Sequence, residues 1–363
     1  MTEPLPAMTI QSHRGPYQVR FGALFEGLEN GLNPGEYLII DERVARLYSK
    51  PLEAVLSSGS VLKIEATEEN KSLEKFSFYV ECLLAAGVKR DSTLVAVGGG
   101  ILQDIAAFIA ATLHRGIAWR FYPTTLLAQA DSCIGSKSSV NVGRFKNQMG
   151  TFTPPQEILI SSEVLESLGQ VEIQSGIGEM IKVHIISGWD DVRTIAADYP
   201  KLFSDKECLV GTIWRSLEIK KQKIEIDEFD KNERLIMNYG HSFGHAIESA
   251  TGYAVPHGIA VTLGMDMANE VSLQKGLLDQ ETYDELHLLL TANYAGFEDF
   301  PIPEEPFFSA LAKDKKNSGG ELTLILLRGP GKVFRGHYPH DASFRSICTG
   351  FFERLKSMKG VSL

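Results

Sequence analysis

The chain has 363 residues, 44% hydrophobic and 23% charged, with 46 acidic against 36 basic side chains and a formal charge of −10. Its length predicts two domains, and its composition is that of an ordinary soluble globular protein. The acidic balance argues against non-specific nucleic-acid binding, and no apolar run reaches the roughly 18 residues of a membrane span, so neither nucleic acid nor membrane is an expected partner.

Cys82, Cys133, Cys208 and Cys348 are scattered, with no CxxC pair, a pattern that suits a reducing compartment. The polar, proline-containing stretch Met1 to Arg14 is unlike a signal peptide, so a cytoplasmic location is expected.

In chain order, Tyr37-Leu-Ile-Ile-Asp41 predicts a buried strand with Asp41 at its carboxyl end, and Val61 to Ile64 predicts a second. Glu68 and Lys71 precede a helical pattern from about Ser72 to Ala86. The strand Leu94 to Val97 runs into Gly98-Gly99-Gly100 and a helix from about Leu102 to Leu113; Trp119 to Tyr122 is a fourth strand. Strands alternating with helices imply a largely parallel sheet covered on both faces. A strand, a glycine cluster and a helix start together suit an anion, although the GxGxxG fingerprint is matched poorly.

From Pro123 through Thr124, Thr125, Asp131, Ser136, Lys137, Asn141, Lys146 and Asn147, small, hydroxylic and basic residues crowd together, predicting a polar loop that holds phosphate or carboxylate oxygens. Glu157 to Ile160 is a last strand before a domain boundary near Gly169, giving residues 1–169 and 170–363. Beyond it, helical patterns run from about Glu172 to Ile186, Lys206 to Ile226, Glu233 to Ala250, His257 to Lys275, Gln280 to Ala292 and Ala342 to Lys359. Glu321 to Leu327 is the exception, a strand or hairpin.

The segment Arg234 to Glu248 is the most informative. As one helix it carries Arg234, Asn238, His241, His245 and Glu248 on a single face within an apolar stretch, a costly arrangement unless those groups meet partners, a metal or a ligand. Glu179 and Lys182, three apart on the preceding helical pattern, share a face; such a pair is ordinarily a surface salt bridge. His241, His245 and His257, with Glu179 as a carboxylate, are candidates for a divalent cation, and spacing alone does not choose among them. Ser242 stands where a zinc peptidase of the HExxH type has its general base, which argues against a peptidase.

Gly98 to Asp104, His114-Arg115-Gly116, Pro123-Thr124-Thr125, Asp131 to Lys137, Lys146-Asn147, Glu179 to Lys182, Asp227-Glu228, Asn238 to Glu248, His257-Gly258 and Asp314 to Lys316 together make the chain resemble the 3-dehydroquinate synthase family of sugar phosphate cyclases. The resemblance implies a Rossmann-like α/β N-terminal domain that binds NAD and an all-α C-terminal domain that binds metal and substrate. It implies Glu179, His241 and His257 as ligands of Zn2+ or Co2+, with His245 facing substrate instead. Asp41, Glu68, Lys71, Gly99, Gly100, Asp104, Thr124, Thr125 and Lys146 are implied around NAD. Asp131, Lys137, Asn147, Lys182, Lys220, Arg234, Asn238 and Lys315 or Lys316 are implied around a sugar phosphate, with His245, Lys182, Asp131 and Asn238 in catalytic roles. A homodimer is implied, in which Arg115 reaches the phosphate across the interface.

The implied reaction oxidises a secondary alcohol of the sugar phosphate transiently with NAD, eliminates phosphate, returns the hydride and closes the ring by an aldol step. The product would be 3-dehydroquinate, the substrate 3-deoxy-arabino-heptulosonate 7-phosphate. Converging cations answer the need to hold a dianionic phosphate and an enolate. Arg234 suits bidentate recognition of a carboxylate; the resemblance implies that cyclases acting on sugars without one lack the residues matching Lys220 and Arg234. Ser136, Ser138, Gln103, Gly178 and Val183-His184 depart from the family pattern. A sister cyclase with another sugar phosphate, for which Ser136 is the motive, and a metal-dependent polyol dehydrogenase are the alternatives.

Overall fold

The computed structural model describes residues 5–143, 145–314, 317 and 320–357. The chain divides into two compact units, Met1–Gly169 with Lys221–Phe229, and Gln170–Lys220 with Asp230–Leu363.

The first unit opens with β1 (Met8–Ile10) and β2 (Tyr17–Phe21), then β3 (Glu36–Asp41), α1 (Glu42–Leu47), α2 (Glu53–Leu56), β4 (Val61–Ile64) and α3 (Leu73–Ala85). It continues through β5 (Thr93–Gly98), α4 (Gly100–Thr112), β6 (Ala118–Pro123), β7 (Lys137–Val142), β8 (Phe145–Phe152) and β9 (Glu157–Ile160). Seven strands form one sheet in the order β1-β2-β9-β6-β5-β3-β4. Every pair from β2 onward is parallel, and only β1 joins antiparallel. The near-continuous apolar runs of β3, β5 and β9 are buried on both faces, as parallel strands under covering helices must be. The chain leaves β3 toward β4 on one side and returns to β5 on the other. Between their carboxyl ends lies the crevice where open parallel sheets take ligands.

The segment expected as a polar loop is instead ordered. Lys137–Val142 and Phe145–Phe152 pair as the antiparallel hairpin β7–β8, in which Ser138 lies opposite Thr151, their hydroxyls 2.8 Å apart. Alternating small polar residues suit such a ribbon as well as a loop, and the turn at Gly143, with φ +53°, closes it.

The second unit contains α5 (Gln170–Ser187), α6 (Trp189–Asp198), most of α7 (Lys206–Ile226), α8 (His241–Ala250), α9 (His257–Gln274), α10 (Gln280–Asn293), α11 (Glu304–Ala312) and α12 (Ala342–Ser357). Among the described residues its strands are those of the antiparallel hairpin of β10 (Glu321–Leu327) and β11 (Val333–Pro339). Residues Gly258–Ser272 of α9 are buried throughout, the signature of a central helix. Several of its polar side chains meet partners there. Tyr294 Oη donates to Asp266 at 2.7 Å, Asn293 Nδ2 to Thr262 at 2.9 Å, and Arg354 pairs with Glu270 at 2.7 Å. No helix among the described residues is long and apolar enough to cross a membrane.

The continuous helix expected from Glu233 to Ala250 is corrected. Glu233–Asn238 is a 3-10 turn, and α8 starts only at His241, after Gly240 at φ +78°. A left-handed residue cannot continue a right-handed helix, so Arg234 and Asn238 belong to a different element from the histidines.

Candidate active site

In the second unit α5, α8 and α9 bring three side chains together. Glu179, His241 and His257 each offer a ligand atom, all within 4.8 Å of one another. Glu179 Oε1 lies 3.5 Å from His241 Nε2 and 3.3 Å from His257 Nε2, is fully buried, and has no donor in hydrogen-bond geometry. An orphaned carboxylate oxygen facing two imidazole nitrogens is costly by itself and suited to a divalent cation, for which one O and two N donors are the catalytic ligand chemistry. His245 sits on the exposed side of α8, and belongs instead to a second group with Glu248 and His257, also within 4.8 Å. The pairing of His241 with His245 that spacing offers is thus not the arrangement that includes Glu179.

Glu179 and Lys182 are 1% and 2% exposed and hydrogen-bonded to each other, a buried pair where a surface salt bridge is the ordinary expectation. Burial opposes the charge of Glu179, but the Lys182 ammonium and His257 outweigh it and hold the carboxyl well below its usual range. For His257 burial likewise opposes the charge, and the Glu179 and Glu248 carboxylates overcome it, raising the imidazole above its ordinary value. His241 Nδ1 lies 3.2 Å from the carbonyl of Tyr239, and His257 Nδ1 lies 3.2 Å from Glu248 Oε1. Glu248 belongs to the polar stripe legible in the sequence, three residues beyond His245, but nothing in its spacing points to His257.

Of the remaining second-unit candidates, Lys220 is buried near the end of α7 and Arg234 is buried in the 3-10 turn, which packs on α5. Asn238 closes that turn, donating from Nδ2 to the Leu235 carbonyl at 3.1 Å. Lys315 and Lys316 lie outside the described residues.

In the first unit, Asp41 ends β3 and caps α1, accepting from Arg43 N at 2.9 Å; burial raises its pKa. Gly99 is the N-cap of α4 and Gly100 its first residue. Thr124 N donates to the Gly98 carbonyl at 2.9 Å, and Thr125 Oγ1 accepts from Ala128 N at 3.2 Å. Buried Lys71 joins several candidates: its Nζ lies 3.2 Å from Asp104 Oδ2, 3.0 Å from Asn147 Oδ1 and 3.5 Å from Glu68 Oε1. Lys146 approaches Glu68 at 3.8 Å, and Asp104 also accepts from Ser139 N and Oγ, both at 3.0 Å. Asp131 lies in a π-helical turn and Lys137 is exposed at the start of β7. Arg115 is exposed after α4 at φ +66°.

Ser136 donates to Glu228 Oε1 at 2.7 Å, and Glu228 also accepts from Ser12 Oγ at 2.6 Å and His13 N at 2.7 Å. The Ser136 hydroxyl is therefore engaged within its own unit.

A parallel α/β unit followed by a mainly helical unit is a fold shared with several solved enzymes. Solved structures with that fold include 2-deoxy-scyllo-inosose synthase complexed with carbaglucose-6-phosphate, NAD+ and Co2+, at TM-score 0.80 and 22% identity over 97% of this chain and all of that one. Another is 2-epi-5-epi-valiolone synthase from Streptomyces hygroscopicus with NAD+ and Zn2+ bound, at TM-score 0.79 and 24% identity over 93% and 97% of the two chains.

The chain belongs to the 3-dehydroquinate synthase family. Residues 61–175 match the model of the 3-dehydroquinate synthase N-terminal region, and 176–317 that of its C-terminal region. The 3-dehydroquinate synthase of Cereibacter sphaeroides is 37% identical over 82% of this chain and 83% of its own, and that of Acidithiobacillus ferrooxidans 36% identical over 85% and 87%.

Proposed function

We propose that this chain is a 3-dehydroquinate synthase, converting 3-deoxy-arabino-heptulosonate 7-phosphate to 3-dehydroquinate and phosphate. The observation that carries the reading is the buried Glu179 oxygen facing two imidazole Nε2 atoms, within a chain 37% identical to an enzyme of that name. Zn2+ or Co2+, as bound in the structural relatives, would be held by Glu179, His241 and His257 and would supply Lewis acidity at a secondary alcohol. NAD would take the crevice between β3 and β5, among Asp41, Glu68, Lys71, Gly99, Gly100, Asp104, Thr124, Thr125 and Lys146, and would supply a hydride acceptor that is regenerated.

The chain's own groups then have defined work. Lys182 balances the charge of Glu179 through its second oxygen, leaving the first for the cation. His245, exposed on α8, would carry a proton. Lys220 and Arg234 supply the cations that a substrate carboxylate requires, favouring the heptulosonate over hexose phosphates. Lys137, Asn147 and, from the second copy of a homodimer, Arg115 answer the phosphate, while Asp131 and Asn238 orient hydroxyls. On this reading residues 1–169 form the NAD-binding domain, which also carries the substrate groups Asp131, Lys137 and Asn147, and 170–363 the metal- and substrate-binding domain, in the cytoplasm. Ser136 gives little motive for another substrate, since its hydroxyl donates to Glu228.

The test is an assay of the purified protein with NAD and Co2+ against heptulose and hexose phosphates. Phosphate release from the heptulosonate alone, with no net NADH, is the expected result. Release only from a hexose phosphate identifies a sister cyclase, and NADH in stoichiometric yield a polyol dehydrogenase; either overturns the proposal.

A further inference from the structure

The two imidazoles that face Glu179 present the same atom to it, Nε2 in each case, and each has Nδ1 engaged on its far side. The Tyr239 carbonyl at 3.2 Å can only accept, so His241 Nδ1 carries a proton and Nε2 is the atom left to give a lone pair to a cation. His257 has a stronger device. Glu248 Oε1, from α8, lies 3.2 Å from His257 Nδ1 at the start of α9, and a carboxylate there selects the same tautomer while adding a full negative charge to the far side of the ring. A charge so placed makes Nε2 more basic toward a cation and locks the ring plane. His245, one turn before Glu248 on α8, has its ring centroid 5.9 Å from that of His257, nearly stacked at 27°.

The same three residues, His245, Glu248 and His257, also form a group able to hold an ion of their own. The two uses are exclusive for His257: with Nε2 given to the Glu179 site, its Nδ1 offers a second lone pair only as an imidazolate, whereas as N–H it needs the acceptor that Glu248 provides. We propose that Glu248 is a positioning residue of the cation site, fixing His257 by accepting from Nδ1–H, and not the ligand of a second ion. This rests on the assignment of Glu179, His241 and His257 to a cation.

The experiment measures Zn2+ affinity and stoichiometry of the full chain by competition with a chromophoric chelator, for the unaltered protein, Glu248→Gln, Glu248→Leu and His257→Ala. Thermal unfolding of each zinc-free chain reports on the fold. Affinity is expected to fall about tenfold in Glu248→Gln and about 100-fold in Glu248→Leu, with one ion per chain throughout and zinc-free midpoints unchanged. A merely structural role would move the midpoints and not the affinity. Unaltered affinity in Glu248→Gln overturns the proposal, and so does a stoichiometry of two that falls to one in that variant. Should the leucine variant fail to fold, the glutamine variant decides alone. Undiminished affinity in His257→Ala is a different outcome: it removes the cation assignment itself.

Discussion

Glu179 carries two jobs on one side chain: one oxygen meets the Lys182 ammonium, and the other points at two imidazoles. Such a division needs full burial, because in water each oxygen would be hydrated and indifferent to its neighbours. Residue types and spacing brought His241, His245, His257 and Glu179 into consideration but did not rank them. Which imidazoles face the carboxylate depends on where α9 lies against α8, a long-range matter. On the proposed ligand set, His257→Ala abolishes metal retention after gel filtration. His245→Ala keeps the metal and loses roughly 10²–10⁴-fold in turnover, the usual worth of a positioned proton carrier. Metal analysis beside kinetics checks both, and loss of the metal from His245→Ala would refute the assignment.

Among elements, the decisive contacts are those of α5, α8 and α9, which approach so closely that glycines line them. A Cβ on Gly178 would lie 2.4 Å from the Gly258 carbonyl oxygen and 2.5 Å from Thr262 Oγ1. One added methyl next to Glu179 thus forces α5 away from α9. Gly178→Ala is expected to cost about 1–3 kcal/mol, as overpacking does, and to weaken metal binding with it; denaturant midpoints and metal content measure the two effects. A Cβ on Gly240 would meet Val261 O at 2.7 Å and Met265 Cγ at 2.5 Å, so the residue that breaks the expected helix is also, with Gly244 and Gly264, one that lets α8 and α9 touch. The periodic pattern concealed that break because 3-10 and α spacing place apolar residues almost alike over one turn. The hairpin β7–β8 was hidden by similar ambiguity: in β7 only Val140 and Val142 are apolar, too few to mark a period of two.

At the scale of the molecule, each unit contains a titrating strut. His287 Nδ1 meets Asp266, a residue with no exposure, at 2.8 Å, and the ring stacks on Tyr283. Burial lowers the pKa of His287, but the hydrogen bond and charge of Asp266 outweigh it and the net direction is up. Folding therefore takes up a proton here: the contribution is full below the unfolded value of about 6.5 and is lost as pH rises through the folded one. Glu228 behaves oppositely. Burial raises its pKa, but the bonds from Ser12, Ser136 and His13 outweigh it and the net direction is down, so its stabilisation, full above about 4.3, is lost as pH falls. Urea midpoints should decline on both flanks of that window, and His287→Asn should flatten the alkaline flank only. A flank unchanged in the variant would exclude His287 as its source.

The sequence by itself determined the parallel α/β unit, the helical second unit and the family, because buried strands, helical periods and glycine-bearing motifs are local in the chain. It did not determine that Lys221–Phe229 join the first unit, where Glu228 binds Ser12 and Ser136, nor that Glu248 turns toward His257. Those relations join residues far apart in sequence or across a helix break, and only packing of the whole chain fixes the separation and direction of such groups.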